Sequence, residues 1–216
     1  MRFKTILLSL AASTIAVGSA EAARFQNGGF EDGFDGFAGW TMDPGLVQNP
    51  GVFVHRDELN VPTVFDPVNG FYMASLQADL ADDPVMLSQT FDTVGGNFSG
   101  WVAFLGQDDR ADFGFVRIMS GGLEVERLFD AGIAGLGAYN YTPWTKFSTT
   151  LAAGTYTIEA AIVNVGDGFN PSFLLLDDLR MTNVPEPSTW AMMLLGFGAA
   201  GALIRRRRGQ FERANA

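Results

Sequence analysis

Through the middle of the chain, apolar and polar residues alternate in short stretches separated by glycine-, asparagine- and proline-rich breaks, whereas each end carries one unbroken apolar run. Alternation of period two marks a strand with one buried face. It is clearest in "TYTIEAAIVNV", where Tyr156, Ile158, Ala160 and Ile162 share a side. With their β-branched and aromatic content, Val52–His55, Phe71–Gln77, Val85–Phe91, Ser99–Leu105, Phe113–Met119, Leu123–Phe129, Lys146–Leu151, Thr155–Val165 and Ser172–Met181 read as strands. "DTVGGN", "MSGG" and "LAAG" read as turns between them. Short strands at this spacing predict an all-β, two-sheet sandwich. "FDAGIAGLGAYNYTPW" reads as a loop, and only the two terminal runs read as helices.

The two ends agree on a destination. Arg2 and Lys4 precede an apolar stretch from Ile6 to Val17 and a small-residue close, the order of a secretory signal peptide, with cleavage expected between Ala22 and Ala23. At the other end, fifteen residues from Trp190 to Ile204 are apolar. As a helix they span roughly 22 Å, short of a bilayer core of about 30 Å. Local thinning and snorkelling arginines make up the difference. The cluster Arg205, Arg206, Arg207, Arg208 is expected to stay cytoplasmic, leaving the rest of the chain outside the inner membrane. Pro185 and Pro187 disfavour helix at Val184 and Glu186, so the tripeptide is expected to be extended and open to a processing enzyme.

Pro185-Glu186-Pro187, then Trp190-Ala191, the short apolar helix and the arginines together resemble the PEP-CTERM sorting signal in its Trp-Ala variant. That resemblance implies recognition and processing by an exosortase, a membrane-embedded cysteine transpeptidase. It also implies delivery to the cell surface of a Gram-negative bacterium, often one that makes exopolysaccharide or biofilm. The chain is then organised as a signal peptide (1–22), a β-sandwich ectodomain (23–183), a sorting signal (184–208, with its membrane helix at 189–204) and a cytoplasmic tail (209–216).

Charge narrows the partners. Between Ala23 and Val184 there are seven Lys or Arg against 21 Asp or Glu, a net charge of −14. Such a surface repels phosphate backbones, so no nucleic acid is expected. It suits solubility, and it suits hard cations such as calcium. The chain has no cysteine and one histidine, His55, which excludes thiol catalysis, thiolate metal sites and multi-histidine clusters. A lone His55 beside Arg56 and Asp57 reads as a surface residue at a strand end.

"NGGFEDGFDGFAGWT" (27–41) and "SFLLLDDLRM" (172–181) resemble the opening and closing stretches of jelly-roll domains of the galactose-binding or carbohydrate-binding-module type. The resemblance implies a structural calcium shared by a glutamate of the opening motif and an aspartate of the last strand, here Glu31 and Asp178. Calcium needs six to eight oxygens, and the remaining ligands are not readable. Asp177 points to the opposite sheet face from Asp178, so one of the pair at most faces such a site.

"GQDDRADFG" gathers Asp108, Asp109 and Asp112 around Arg110, as a second cation site, a carboxylate pair for glycosidic chemistry, or a solvated polar loop. Tyr139, Tyr141 and Trp144 offer aromatic surfaces to sugar rings, while Trp40 and Trp101 sit where core packing is expected. No Gly-x-Ser-x-Gly elbow, P-loop or dinucleotide fingerprint is present. The expectation is a non-catalytic surface or matrix module associated with exopolysaccharide or another envelope glycan. The alternatives are a small secreted glycosidase or lyase and a purely structural adhesive protein.

Overall fold

The computed structural model describes residues 24–32, 36–43, 46–79, 82–166, 170–183, 193–198 and 201. Its strands in chain order are β1 (Thr41–Met42), β2 (Val47–Gln48), β3 (Phe53–Arg56), β4 (Pro62–Phe65), β5 (Ala74–Gln77), β6 (Val85–Leu105), β7 (Phe113–Ser120), β8 (Leu123–Gly132), β9 (Thr145–Val163) and β10 (Phe173–Asn183). A single helical turn, α1 (Ile133–Leu136), separates β8 from β9.

β6 and β9 pair antiparallel in one constant register, from Val85↔Ile162 to Val102↔Thr145. The pairing skips only Gly95 and Ala152. Gly95 has φ 100°, a backbone state that a Cβ disfavours, and the ladder bends there. Its two halves therefore recruit different neighbours. The first half of β6 and the second half of β9 join β1, β7 and β8, with Phe113↔Val163 through Met119↔Thr157 as one seam. The other halves join β10, β5 and β2, with Phe173↔Leu105 through Asn183↔Gly96 as another.

These two sheets face each other. A methyl group on Gly114 of β7 would lie 3.0 Å from Leu174 Cδ1 and 3.2 Å from Phe104 Cδ2 of the opposite layer. Leu87, Phe91, Ile118 and Ile158 from one sheet meet Phe98, Val102, Phe104 and Leu174 from the other, all sealed from solvent. Each such side chain contributes about 1.5–3 kcal/mol of burial. The result is the all-β two-sheet sandwich expected from the alternation, of the jelly-roll kind that the resemblance implied.

The partition of strands differs from expectation. "DTVGGN" and "LAAG" are not hairpin turns: they face each other across the β6–β9 ladder, which runs through both. "MSGG" is a turn, since Ser120↔Leu123 closes a two-residue loop with φ 58° at Gly121 and 79° at Gly122, the geometry of a type I′ hairpin. The segment expected to be all loop contains α1, whose Ile133 N–H reaches the Asp112 carbonyl at 2.9 Å. β1 and β2, of two residues each, are too short for alternation to reveal them, and β4 opens on Pro62, which reads as a break.

The outer face of the second sheet is also covered. The β3–β4 hairpin, registered by Phe53↔Phe65 and His55↔Thr63, lies over it. Phe65, Met73, Ala103, Leu105 and Leu175 form a second apolar cluster there, with Phe53, Trp144 and Phe173 at its margin. The opening segment docks by Phe25, edge-on to Phe91 and Phe98, and by paired bonds between the Gln26 backbone and the Gln89 side chain at 2.9 and 3.0 Å. Trp40 packs against the core as expected. Trp101 does not; it is half-buried on the outer face, with the Lys146 ammonium 5.8 Å from its ring centre.

Residues 193–198 and 201, within the expected membrane helix, are helical. Among the described residues no helix is long and apolar enough to cross a membrane. Ala22, Ala23, Pro185, Glu186, Pro187, Trp190 and Arg205 to Arg208 lie outside the described residues.

Candidate functional site

His55 organises one end of the sandwich. It has no exposed surface, contrary to the strand-end expectation, because the β3–β4 hairpin folds it inward against loops that are distant in sequence. Its Nε2–H donates to the Tyr139 carbonyl at 3.1 Å, and its Nδ1 accepts from Gln107 Nε2 at 2.9 Å. The Tyr141 ring meets the imidazole edge-on at 5.3 Å. Burial holds the imidazole below its usual pKa, partly offset by the Tyr139 carbonyl and the charge of Asp57. The ring is thus a neutral clasp between β3, the loop after β6 and the loop after α1.

Above this clasp, the tip of the hairpin and residues 138–140 enclose a cleft of about 240 Å³ lined by Asp57, Glu58, Leu59, Ala138, Tyr139 and Asn140. Tyr139, with φ 54°, is held from both sides: its N–H reaches the Asp108 carbonyl at 3.1 Å and its own carbonyl receives His55. An aromatic side chain, an amide and two carboxylates therefore border one open recess.

The acidic loop beside it is mostly structural. Asp112 is fully buried, and its two oxygens accept from Val165 N–H at 2.9 Å and Ser172 Oγ–H at 2.7 Å. Asp108 is nearly buried and accepts the Arg110 N–H at 2.9 Å. Asp109 is exposed and lies 3.9 Å from the Arg110 guanidinium, a weak surface pair. Tyr141 and Trp144 lie outside the cleft lining: both pack edge-on against Phe65, Trp144 Nε1–H donates to the Asp66 carbonyl at 3.0 Å, and Tyr141 stays exposed. Only Tyr139 of the expected aromatic set lines the cleft.

The expected cation residues have different partners. The Glu31 carboxylate accepts the N–H groups of Phe71 and Tyr72, both at 2.8 Å. Asp178, with φ 53°, sits in a bulge of β10 and pairs with Arg180. Its neighbour Asp177 is the fully buried carboxylate, accepting the N–H of Asn69 at 3.0 Å and of Asp178 at 2.6 Å. Burial outweighs these bonds and pushes Asp177 up to about 6. Glu31 and Asp177 thus hold the same loop, 68–72. Among the described residues no group of three or more His, Cys, Asp or Glu is placed to hold a metal ion.

A third feature escaped sequence reasoning altogether. Register aligns Thr41, Ser88, Glu159, Arg117 and Arg127 in one row across five strands on the outside of the first sheet. Arg117 bonds Glu159 at 2.8 Å, and Glu124 is held below the ordinary carboxylate range by bonds from Arg127 first and Arg117 second. Both guanidiniums lie over Phe115, 5.0 and 4.4 Å from its centre. No local motif announces such a row, because its members come from five separate segments.

Residues 183–208 match the PEP-CTERM protein-sorting motif, which marks an exported protein with a C-terminal sorting signal. Comparison with the curated proteins gave no match. Among solved structures, the chain is similar to TmCBM61, solved in complex with β-1,4-galactotriose, at 16% identity and a TM-score of 0.45, covering 75% of this chain and 99% of that one. A cleaved adhesin domain of Lys-gingipain from Porphyromonas gingivalis is similar at 17% identity and a TM-score of 0.43, covering 73% and 96%. CBM51 from Clostridium perfringens GH95, in complex with methyl-galactose, is similar at 13% identity and a TM-score of 0.36, covering 66% and 92%.

Proposed function

We propose that this chain is a non-catalytic, polysaccharide-binding module of the cell surface or extracellular matrix, tethered to the inner membrane by its C-terminus until an exosortase processes it. The destination rests on the sorting motif. The binding role rests on one observation, the cleft that brings Tyr139 and Asn140 against Asp57 and Glu58. An aromatic body with a polar edge suits the face of a sugar, and amide and carboxylate groups suit its hydroxyls. The commitment of Asp112 and Asp108 to neighbouring backbone and hydroxyl groups favours binding over bond cleavage.

The test is calorimetric titration of the ectodomain with exopolysaccharide from the native host, alongside a reducing-end assay. Binding without new reducing ends, lost in Tyr139→Ala and in the double variant Asp57→Asn with Glu58→Gln, is expected. Turnover of the polysaccharide overturns the non-catalytic reading. Undiminished binding by both variants overturns the assignment of the cleft. Intact-mass analysis in the host tests processing, with loss of the C-terminal segment near Pro185–Pro187 expected.

A calcium ion belongs to this reading in altered form. The donor chemistry fits in part, since Glu31 and Asp177 bring hard oxygens to one loop while Asp178 is engaged by Arg180. Calcium would be held by Glu31 and Asp177 with carbonyls of that loop, and would supply the positive charge that a desolvated carboxylate lacks.

A further inference from the structure

Charge is unevenly distributed along the sandwich. At the end where β6 and β9 bend, four segments meet: 93–96, 150–154, the β7–β8 turn at 119–123, and 181–183. Pairing places them together, since Val94 lies opposite Ala153, Gly96 opposite both Leu151 and Asn183, and Ser120 Oγ donates to the Thr155 carbonyl at 3.1 Å. None of these segments contains a charged residue, and of the carboxylates that border them Glu124 is paired with Arg117 and Arg127, while Asp92 and Glu126 accept from Thr155 and Thr149. The segments do expose apolar side chains, Leu123 at 73% and Val94 at 52%. The opening segment also arrives here, through Phe25 between Phe91 and Phe98, bringing the exposed Arg24.

The opposite end is acidic. Asp57 and Glu58 at the cleft, Asp108 and Asp109 beyond β6, and Asp82 and Asp83 ahead of β6 all belong to it, against Arg56 and Arg110. Ten residues of β10 separate the ends, from Phe173 beside Leu105 to Asn183 beside Gly96, a distance of about 33 Å.

The chain leaves the sandwich at the bend, at Asn183, two residues before the sorting motif's Pro185. If the anchor begins at residue 189, the five residues 184–188 reach at most about 20 Å, less than the length of the domain. An inner membrane with anionic lipids repels the carboxylate-rich end more strongly than the tip of the bend, where Arg24 is attracted and the outermost segments carry no charge. From this placement, and resting on the membrane-tethered reading above, we infer that the bend of β6 and β9 is a lipid-facing surface. The module stands on the membrane with its cleft turned outward, clear of the bilayer.

Because the chain has no cysteine, single labels can be placed at will. Full-length Ala153→Cys and Glu58→Cys, both at exposed positions, are labelled with a fluorophore and reconstituted in vesicles of phosphatidylethanolamine and phosphatidylglycerol carrying a headgroup quencher. Quenching severalfold stronger at 153 than at 58 is expected, with the contrast reduced when Val94→Glu and Leu123→Glu are added. A chain that floats with the vesicles but is quenched equally at both positions, or more at 58, overturns the orientation alone. A chain that does not float overturns the tethered reading and the orientation with it.

Discussion

Phe91 and Phe98 stand seven positions apart on one strand, yet their rings stack with centres 5.6 Å apart and planes within 18°. On a straight strand their α-carbons would be about 23 Å apart. The bend at Gly95 folds β6 over itself so that one strand lines both layers, and Phe147 of β9 extends the stack from Phe98 at 6.3 Å. Gly95→Ala places a Cβ at φ 100° and is expected to cost about 1–3 kcal/mol, read as a lower urea midpoint with an unchanged slope. An unchanged midpoint would show that the bend does not depend on glycine.

The opening segment is held by an equally narrow fit. The Leu179 N–H donates to the Gly28 carbonyl at 2.9 Å, and a Cβ on Gly28 would collide with the Leu179 carbonyl oxygen. Backbone cannot yield as a side-chain end can. Gly28→Ala is therefore expected to destabilise by about 1–3 kcal/mol and to speed exchange of the amides of 25–30 and 179. Wild-type exchange at those amides would refute the contact.

His55 sets a dependence on pH. Its folded pKa lies below the unfolded value of 6.5, so its contribution is complete above that pH and is lost as pH falls from 6.5 through the folded value. Asp57, the Tyr139 carbonyl, Gln107 and the Tyr141 ring surround it, and Gln107 presents an N–H that a protonated Nδ1 cannot accept. Melting temperature is expected to drop on acidification through this window, and Trp144 fluorescence to change as the hairpin loosens. His55→Gln is expected to be less stable at neutral pH and to lack that acid-side fall. Parallel pH profiles for the two proteins would remove His55 from the account.

Asp177 works in the opposite direction. Its folded pKa of about 6 lies above its unfolded value of 3.8, so for this group stability declines as pH rises from 3.8 to 6 and is flat above. Calcium on the ionised carboxylate would reverse that loss. A higher melting temperature in calcium than in chelator at pH 7 is expected, shrinking as the pH falls below 6. Asp177→Asn is expected to abolish the difference while Asp178→Asn leaves most of it. A melting temperature indifferent to chelation would eliminate the ion.

Legibility in the sequence followed the range of each interaction. The "MSGG" turn was readable because φ above zero at two consecutive positions is a local demand that glycine meets. "DTVGGN" and "LAAG" carry the same residue types, but whether a glycine pair reverses a strand or bends it depends on what lies alongside, and here each lies alongside the other. Of the expected site residues, Tyr139 lines the cleft, whereas Tyr141 and Trp144 stand against Phe65 and Asp112 is bonded to Val165 and Ser172. Asp57, Glu58 and Asn140 were missed as lining residues because nothing in either segment names the other as its neighbour.

The amino-acid sequence by itself determined the two-period faces, the strand-rich interior and the sorting motif at the C-terminus, since each is written in consecutive residues that act on their own backbone or on a membrane. Tertiary structure decided which of two adjacent aspartates is buried, why the only histidine is hidden, and where a cleft opens. The resemblance pointed to Asp178, but Asp177, still in register opposite Trp101, takes the Asn69 N–H, and the bulge that follows it sets Leu179 instead of Asp178 against the core. Period two assigns a residue to a face; only the partner strands, brought from far along the chain, decide what that face meets.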